Sequence, residues 1–188
     1  PSAPEPEPEP VEEYDSTMVW YKADSPIVID SCFTVPRRTI LEIEPGVEVR
    51  FKASENEDDF DYNNLNVGMM KVDGKLLAVG TETDSIIFTR NGDVGNWGMI
   101  FFNDSLATNH MNYCRVENGY LVENLVDVEE QYYLGALTFS NAKGAIENSL
   151  IISNKNIGIN CVNNSSPNII YCYFSKNNYN ISDIEQRM

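Results

Sequence analysis

Apolar residues in this chain come in short pieces that alternate with polar ones or run briefly continuous. Examples are Ile40-Leu41-Glu42-Ile43, Val47-Glu48-Val49-Arg50-Phe51, Ser85-Ile86-Ile87-Phe88-Thr89 and Cys172-Tyr173-Phe174. They are rich in β-branched and aromatic types, bounded by Asn, Ser and Gly, and free of helical spacing, so they predict strands. The pieces also repeat. Leu150 to Ile159 aligns with Cys172 to Ile181 at an offset of 22, and Ala136 to Phe139 aligns with Gly158 to Cys161 at the same offset. Tyr113-Cys114-Arg115-Val116 matches Tyr171-Cys172-Tyr173-Phe174 at 58, and Trp97 to Phe102 matches Leu134 to Phe139 at 37. One coil therefore carries 14 or 15 extra residues, and Leu121 to Tyr133 is where they fit. A period near 22 built from strands and turns predicts a β-solenoid, and the leucine and asparagine pattern of leucine-rich repeats is missing.

The repeat also predicts a register, because inward and outward residues alternate along each strand. Cys114, Leu150 and Cys172 are expected in one inward row, Val116, Ile152 and Phe174 in the next, and Cys161 inward beside Phe139. Tyr113, Ser149 and Tyr171 then face out, followed by Arg115, Ile151 and Tyr173. Rings and an arginine on a flat parallel sheet suit a polysaccharide, so Tyr113, Arg115, Tyr171 and Tyr173 are the candidate ligand-binding residues. The competing expectation is that the 121–133 insertion folds over this face and buries it. Asparagines after Asn141 belong at turns, with Asn118 over Asn154 and Asn156 over Asn178 as expected stacks. The four cysteines are expected as free thiols, since residues two coil steps apart stand about 10 Å from each other, too far for a disulfide.

Charge narrows the partners. The chain has a net charge of −16 and a sequence pI near 4.3, which disfavours nucleic acid and anionic membrane surfaces. No apolar run approaches the roughly 18 residues of a membrane span. Much of the acidity has an address. Residues 1–15 form an acidic Pro/Glu-rich spacer carrying Glu5, Glu7, Glu9, Glu12, Glu13 and Asp15, expected to be extended and disordered, ahead of a β domain at 16–188 with insertions near 54–66 and 121–133. A start at Pro1 suggests a processed upstream segment, and a lipoprotein anchor is one expectation. Glu55, Glu57, Asp58, Asp59 and Asp61 in the first insertion are a candidate Ca²⁺ set, although their spacing departs from the EF-hand loop and a solvated loop is the stronger expectation. No other cofactor is expected. At the ends, Val11 to Lys22 is expected to cover the first coil. Asn180 to Met188 is short for a cap, leaving open a partner or a longer chain.

The search for catalytic groups leans against an enzyme. A hydrolase needs converging carboxylates, yet Ser153 and Ser175 take the place of Glu117 in the next coils, and Asp127 and Asp183 join no aligned row. Arg115 as a lyase base lacks an acidic cluster beside it. His110 is the sole histidine, there is no Cys-x-x-Cys, and no nucleophile motif occurs.

Ile43-Glu44-Pro45-Gly46-Val47-Glu48-Val49-Arg50-Phe51, Val72-Asp73-Gly74-Lys75-Leu76-Leu77-Ala78-Val79-Gly80-Thr81, Ile86-Ile87-Phe88-Thr89 and Asn96-Trp97-Gly98-Met99-Ile100 together carry a resemblance. The chain resembles right-handed parallel β-helix repeat proteins of secreted and surface bacterial type, within the pectate-lyase-like superfold. Met99 stands where that pattern has a second glycine. The Asn-rich later coils resemble carbohydrate-binding and sugar-hydrolase β-helix repeats. The resemblance implies an all-β, single-stranded right-handed parallel β-helix, secreted or at the cell surface. Its expected role is a noncatalytic module whose partner is a polysaccharide or cell-surface glycan. Alternatives are a polysaccharide lyase or glycoside hydrolase, or a purely structural or adhesin segment.

Overall fold

The structure, a computed structural model, describes residues 13–60, 66–104, 106–120 and 135–183. The spacer up to residue 12, Asp61, the 121–133 insertion and residues 184–188 lie outside them. Among the described residues, eighteen strands wind as six coils of three. The first two coils are Ser16–Trp20 (β1), Ile27–Ile29 (β2), Cys32–Val35 (β3) and Thr39–Ile43 (β4), Glu48–Lys52 (β5), Met69–Val72 (β6). The next two are Lys75–Val79 (β7), Ile86–Asn91 (β8), Ile100–Phe102 (β9) and Thr108–Asn112 (β10), Cys114–Glu117 (β11), Gly135–Ser140 (β12). The last two are Lys143–Glu147 (β13), Leu150–Ile152 (β14), Ile157–Val162 (β15) and Asn168–Ile170 (β16), Tyr173–Ser175 (β17), Tyr179–Asp183 (β18). The first, second and third strands of the coils form three parallel sheets, A, B and C, each of six strands. The protein is a parallel β-helix with three faces. Among the described residues no helix is long and apolar enough to cross a membrane.

Parallel pairing in register stacks like residues over one another inside the coil. In sheet A the inward row is Trp20, Ile43, Ala78, Met111, Ile146, Ile169. In sheet B it is Ile27, Val49, Phe88, Val116, Ile151, Phe174. In sheet C it is Phe33, Met70, Ile100, Leu137, Ile159, Ile181. Ring stacks reinforce these rows, Phe51 on Trp97 at 4.2 Å and Phe102 on Phe139 at 4.4 Å between centroids. Each fully buried side chain of this size contributes about 1.5–3 kcal/mol. Outward Thr138, Ser140, Asn160 and Val162 of β12 and β15 are buried as well.

The register of sheet B differs from the sequence expectation. Leu150 pairs with Arg115 and Tyr173, and Ile151 with Val116 and Phe174, so the steps are 35 and 23 residues rather than 36 and 22. Ser149 and Ile151 therefore point inward, and Leu150 and Ile152 outward. The offset of 22 holds in sheet C, where Leu137, Ile159 and Ile181 align. Side chains could not decide this, because Leu150-Ile151-Ile152 are apolar on both faces. The turns decided it. Tyr113, Asn148 and Tyr171 occupy one left-handed turn position (φ 49°, 47° and 53°), and Asn118, Ser153 and Lys176 the next (φ 62°, 56° and 56°). Left-handed backbone is uncommon in non-glycine residues, so a column of such residues marks equivalent positions. Ser149 earns its inward place with hydrogen bonds: its hydroxyl accepts from the Cys114 N–H at 3.0 Å and donates to the Glu147 carbonyl at 2.6 Å. All four cysteines are free, and burial pushes the Cys114 and Cys172 thiols above their ordinary values.

The corner between sheets B and C holds an amide ladder built on buried Asn154 and partly buried Asn177. The Gly119 N–H donates to Asn154 Oδ1 at 2.8 Å, the Asn154 N–H to Asn177 Oδ1 at 3.0 Å, and Asn177 Nδ2 to the Ile151 carbonyl at 2.8 Å. Asn154 Nδ2 reaches the Val116 carbonyl and Asn177 Oδ1. Asn154 thus stacks on Gly119, not on Asn118. Gly119 has no room for a side chain, since a Cβ there would lie 2.7 Å from the Ala136 Cβ. Asn156 does lie over Asn178, through a backbone bond from the Asn178 N–H to its carbonyl at 3.0 Å.

The ends differ from each other. Ser16 to Trp20 does not lie over the first coil as a cover but supplies its first strand. In the sixth coil, inward Ile181 is 49% exposed and Ile169, Cys172 and Phe174 are only partly buried.

Asn154→Ala strands the buried Gly119 N–H and is expected to cost about 3 kcal/mol, read as a lowered urea midpoint. Asn156→Ala, whose stacking runs through the backbone, is expected to stay within about 0.5 kcal/mol. Equal effects at the two positions would refute the amide ladder as the stabilising element.

Candidate functional site

The outer face of sheet B collects the candidate ligand-binding residues. Tyr113 and Tyr171 sit at the turn entering it, in the fourth and sixth coils, and Arg115 and Tyr173 begin the outward row two residues further on. Tyr171 is 87% exposed and Tyr173 61%, while Tyr113 and Arg115 are half-buried. With coils about 4.8 Å apart, each pair spans roughly 10 Å. The structure changes what lies between them. Asn148, rather than Ser149, separates the two turn tyrosines, and exposed Leu150, rather than Ile151, separates Arg115 from Tyr173.

Arg115 and Arg50 on this face are paired with carboxylates. Arg115 Nε donates to Glu117 Oε2 at 2.7 Å, and the Thr89 hydroxyl donates to Glu117 Oε1 at 3.1 Å. Two coils earlier Arg50 Nη2 meets Glu48 Oε2 at 2.9 Å, a bond that raises the arginine's pKa. At the edge with sheet A, His110 Nε2 lies 3.2 Å from Glu147 Oε2, and Asn148 Nδ2 donates to Asn112 Oδ1 at 2.9 Å. Leu150 and Asn148 on this face, and the exposed Ile170 at the end of sheet A beside Tyr171, escaped sequence reasoning. The recurring residue at each turn, Tyr-Asn-Tyr, was the signal for them, but it becomes visible only once the coil step is known to be 35 and then 23.

The acidic insertion follows the B–C corner. Two backbone bonds join Ser54 to Asn96 at 2.9 Å each, Phe60 packs edge-on against Tyr120, and Glu57 reaches Lys155, whose Nζ also lies 4.2 Å from the Tyr120 ring centre. This contact joins residues 98 apart in sequence and ties the second coil to the fifth. Exposed as it is, such a pair is worth less than about 1 kcal/mol. Asp59 accepts from the Ser54 hydroxyl at 2.5 Å and from Asn66 Nδ2 at 3.1 Å. Glu55 and Asp58 are exposed, and Asp61 lies outside the described residues. Among the described residues no three His, Cys, Asp or Glu side chains converge on one point. Tyr120, next to the 121–133 insertion, sits at this corner. The insertion's expected course over the tyrosine face lies outside the described residues.

The bonds from Ser54 and Asn66 hold the Asp59 carboxyl below its ordinary value of 3.8. A depressed folded value means the contribution is complete above the ordinary value and lost as pH falls through the folded one. Protection factors for the amides of residues 54–59, referred to the intrinsic exchange rate at each pH, should therefore fall at acid pH below that ordinary value, and Asp59→Asn should remove the step. A profile unchanged by the substitution would assign the loop's attachment to other groups. Millimolar Ca²⁺ is expected to leave the thermal transition in place, because Glu57 and Asp59 already have partners; a clear upward shift would establish a structural cation.

Compared with known proteins, the chain matches no family model, no curated protein and no solved structure.

Proposed function

We propose that this protein is a noncatalytic, glycan-binding β-helix module of the secreted or surface bacterial type, using the outer face of sheet B as its platform. The observation that carries this reading is the exposure of Tyr171 and Tyr173, two residues apart on one coil, on a rigid parallel sheet. Aromatic rings present large apolar faces at low conformational cost, and each adds a hydroxyl that can bond a sugar. Asn148 and Asn112 supply amides at the same edge. The coil ladder holds these groups in place before any ligand arrives, which lowers the entropy lost on binding.

Hydrolysis of a glycosidic bond needs a free acid and a free base flanking it. On this face Glu117 is engaged by Arg115 and Thr89, and at its edge with sheet A Glu147 is engaged by His110. Those contacts favour binding over cleavage.

A glycan array with the whole chain tests the proposal. Tyr171→Ala and Tyr173→Ala are each expected to weaken binding about tenfold, equivalent to about 1.4 kcal/mol, with the thermal transition unmoved because both side chains are exposed. Binding that survives both substitutions, or no binding to any glycan, would refute it.

A further inference from the structure

We infer that the ligand of this platform is an uncharged, equatorially linked polysaccharide lying as a flat ribbon along the solenoid axis, so that Tyr113 and Tyr171 stack on alternate sugars of one chain. The inference rests on the glycan-binding reading and adds the class of polymer and its direction.

Charge is the first argument. The arginines of the face are held by carboxylates, Arg50 by Glu48 and Arg115 by Glu117, and His110 faces Glu147. Lys176 is exposed but stands at the far corner of the sheet, three residues beyond Tyr173, or about 10 Å along the strand. Among the described residues a polyuronate would find no unpaired cation beside the tyrosines, and it would approach a chain of net charge −16. A neutral polymer loses nothing on either count.

Spacing is the second. Tyr113 and Tyr171 share one left-handed turn conformation in the fourth and sixth coils, so their Cα–Cβ bonds project alike. Between them the fifth coil places Asn148 in the same conformation. In a flat, equatorially linked chain each pyranose advances by roughly one coil step, ~4.8 Å, and successive rings are turned over. Every second sugar then offers the same apolar face, which matches a Tyr-Asn-Tyr column: ring, amide, ring. Leu150 and Tyr173 continue the apolar surface alongside. An axially linked chain coils away and cannot meet both tyrosines.

Asn148 also supplies the variant for the test, since asparagine already occupies this turn in the fifth coil. Tyr113→Asn, Tyr171→Asn and the double variant remove the rings while keeping a residue the turn accepts, and equal thermal transitions would show that the fold is intact. Affinity electrophoresis and pull-down would use hydroxyethyl cellulose, microcrystalline cellulose, chitin, amylose, polygalacturonate and chitosan across a range of NaCl. Retention on the neutral equatorially linked polymers, insensitive to salt, is expected, with about tenfold loss in each single variant and loss of detectable binding in the double. Preference for amylose, polygalacturonate or chitosan would overturn this inference and leave glycan binding standing. Binding to none of the panel or of the array would overturn both. A loss confined to Tyr171→Asn would overturn the two-coil span.

Discussion

Backbone hydrogen bonding between coils is the constraint on which everything else depends. A strand here has no partner within its own coil; its N–H and C=O groups are answered by the coils above and below, in all three sheets. That pairing enforces one register at a time for each sheet, and a slip of one residue would turn an inward row such as Phe88, Val116 and Ile151 to solvent. The continuous inner column and the flat outer faces are two results of the same ladder.

Corners carry the difficult part. Between strands the chain must turn sharply, and it does so with non-glycine residues in left-handed backbone, a conformation that costs energy unless its surroundings impose it. Stacked coils impose it. The amides of buried Asn154 and partly buried Asn177 then satisfy backbone groups that the turns leave behind, so polar residues in a corner stabilise the structure. The same device places Tyr113 and Tyr171 in identical backbone settings two coils apart. A turn requirement and a candidate ligand platform coincide in those two residues.

Acidity proved to be mostly peripheral to the platform. Glu57 and Asp59 fasten a loop along the B–C corner, and the carboxylates on sheet B neutralise neighbouring arginines. The net charge therefore says little about the sheet faces themselves.

Much of the fold was legible because a solenoid writes its period into the chain. Alternating pieces, Asn-rich turns and an offset near 22 determined parallel β-coils, the inward placement of Cys114, Val116, Phe139 and Cys161, and the outward placement of Tyr113, Arg115, Tyr171 and Tyr173. Free thiols followed from the same spacing. What could not be read was the phase at Leu150-Ile151-Ile152, where three apolar residues fit either face and corner lengths differ by one residue between coils. Nor could a linear sequence reveal that Glu57 would meet Lys155, or that Glu117 would hold Arg115. Periodicity is a local property that side-chain type records directly. Register at an ambiguous strand, and the pairing of charges distant in sequence, are decided by turn geometry and coil stacking, which exist only once the chain has closed on itself.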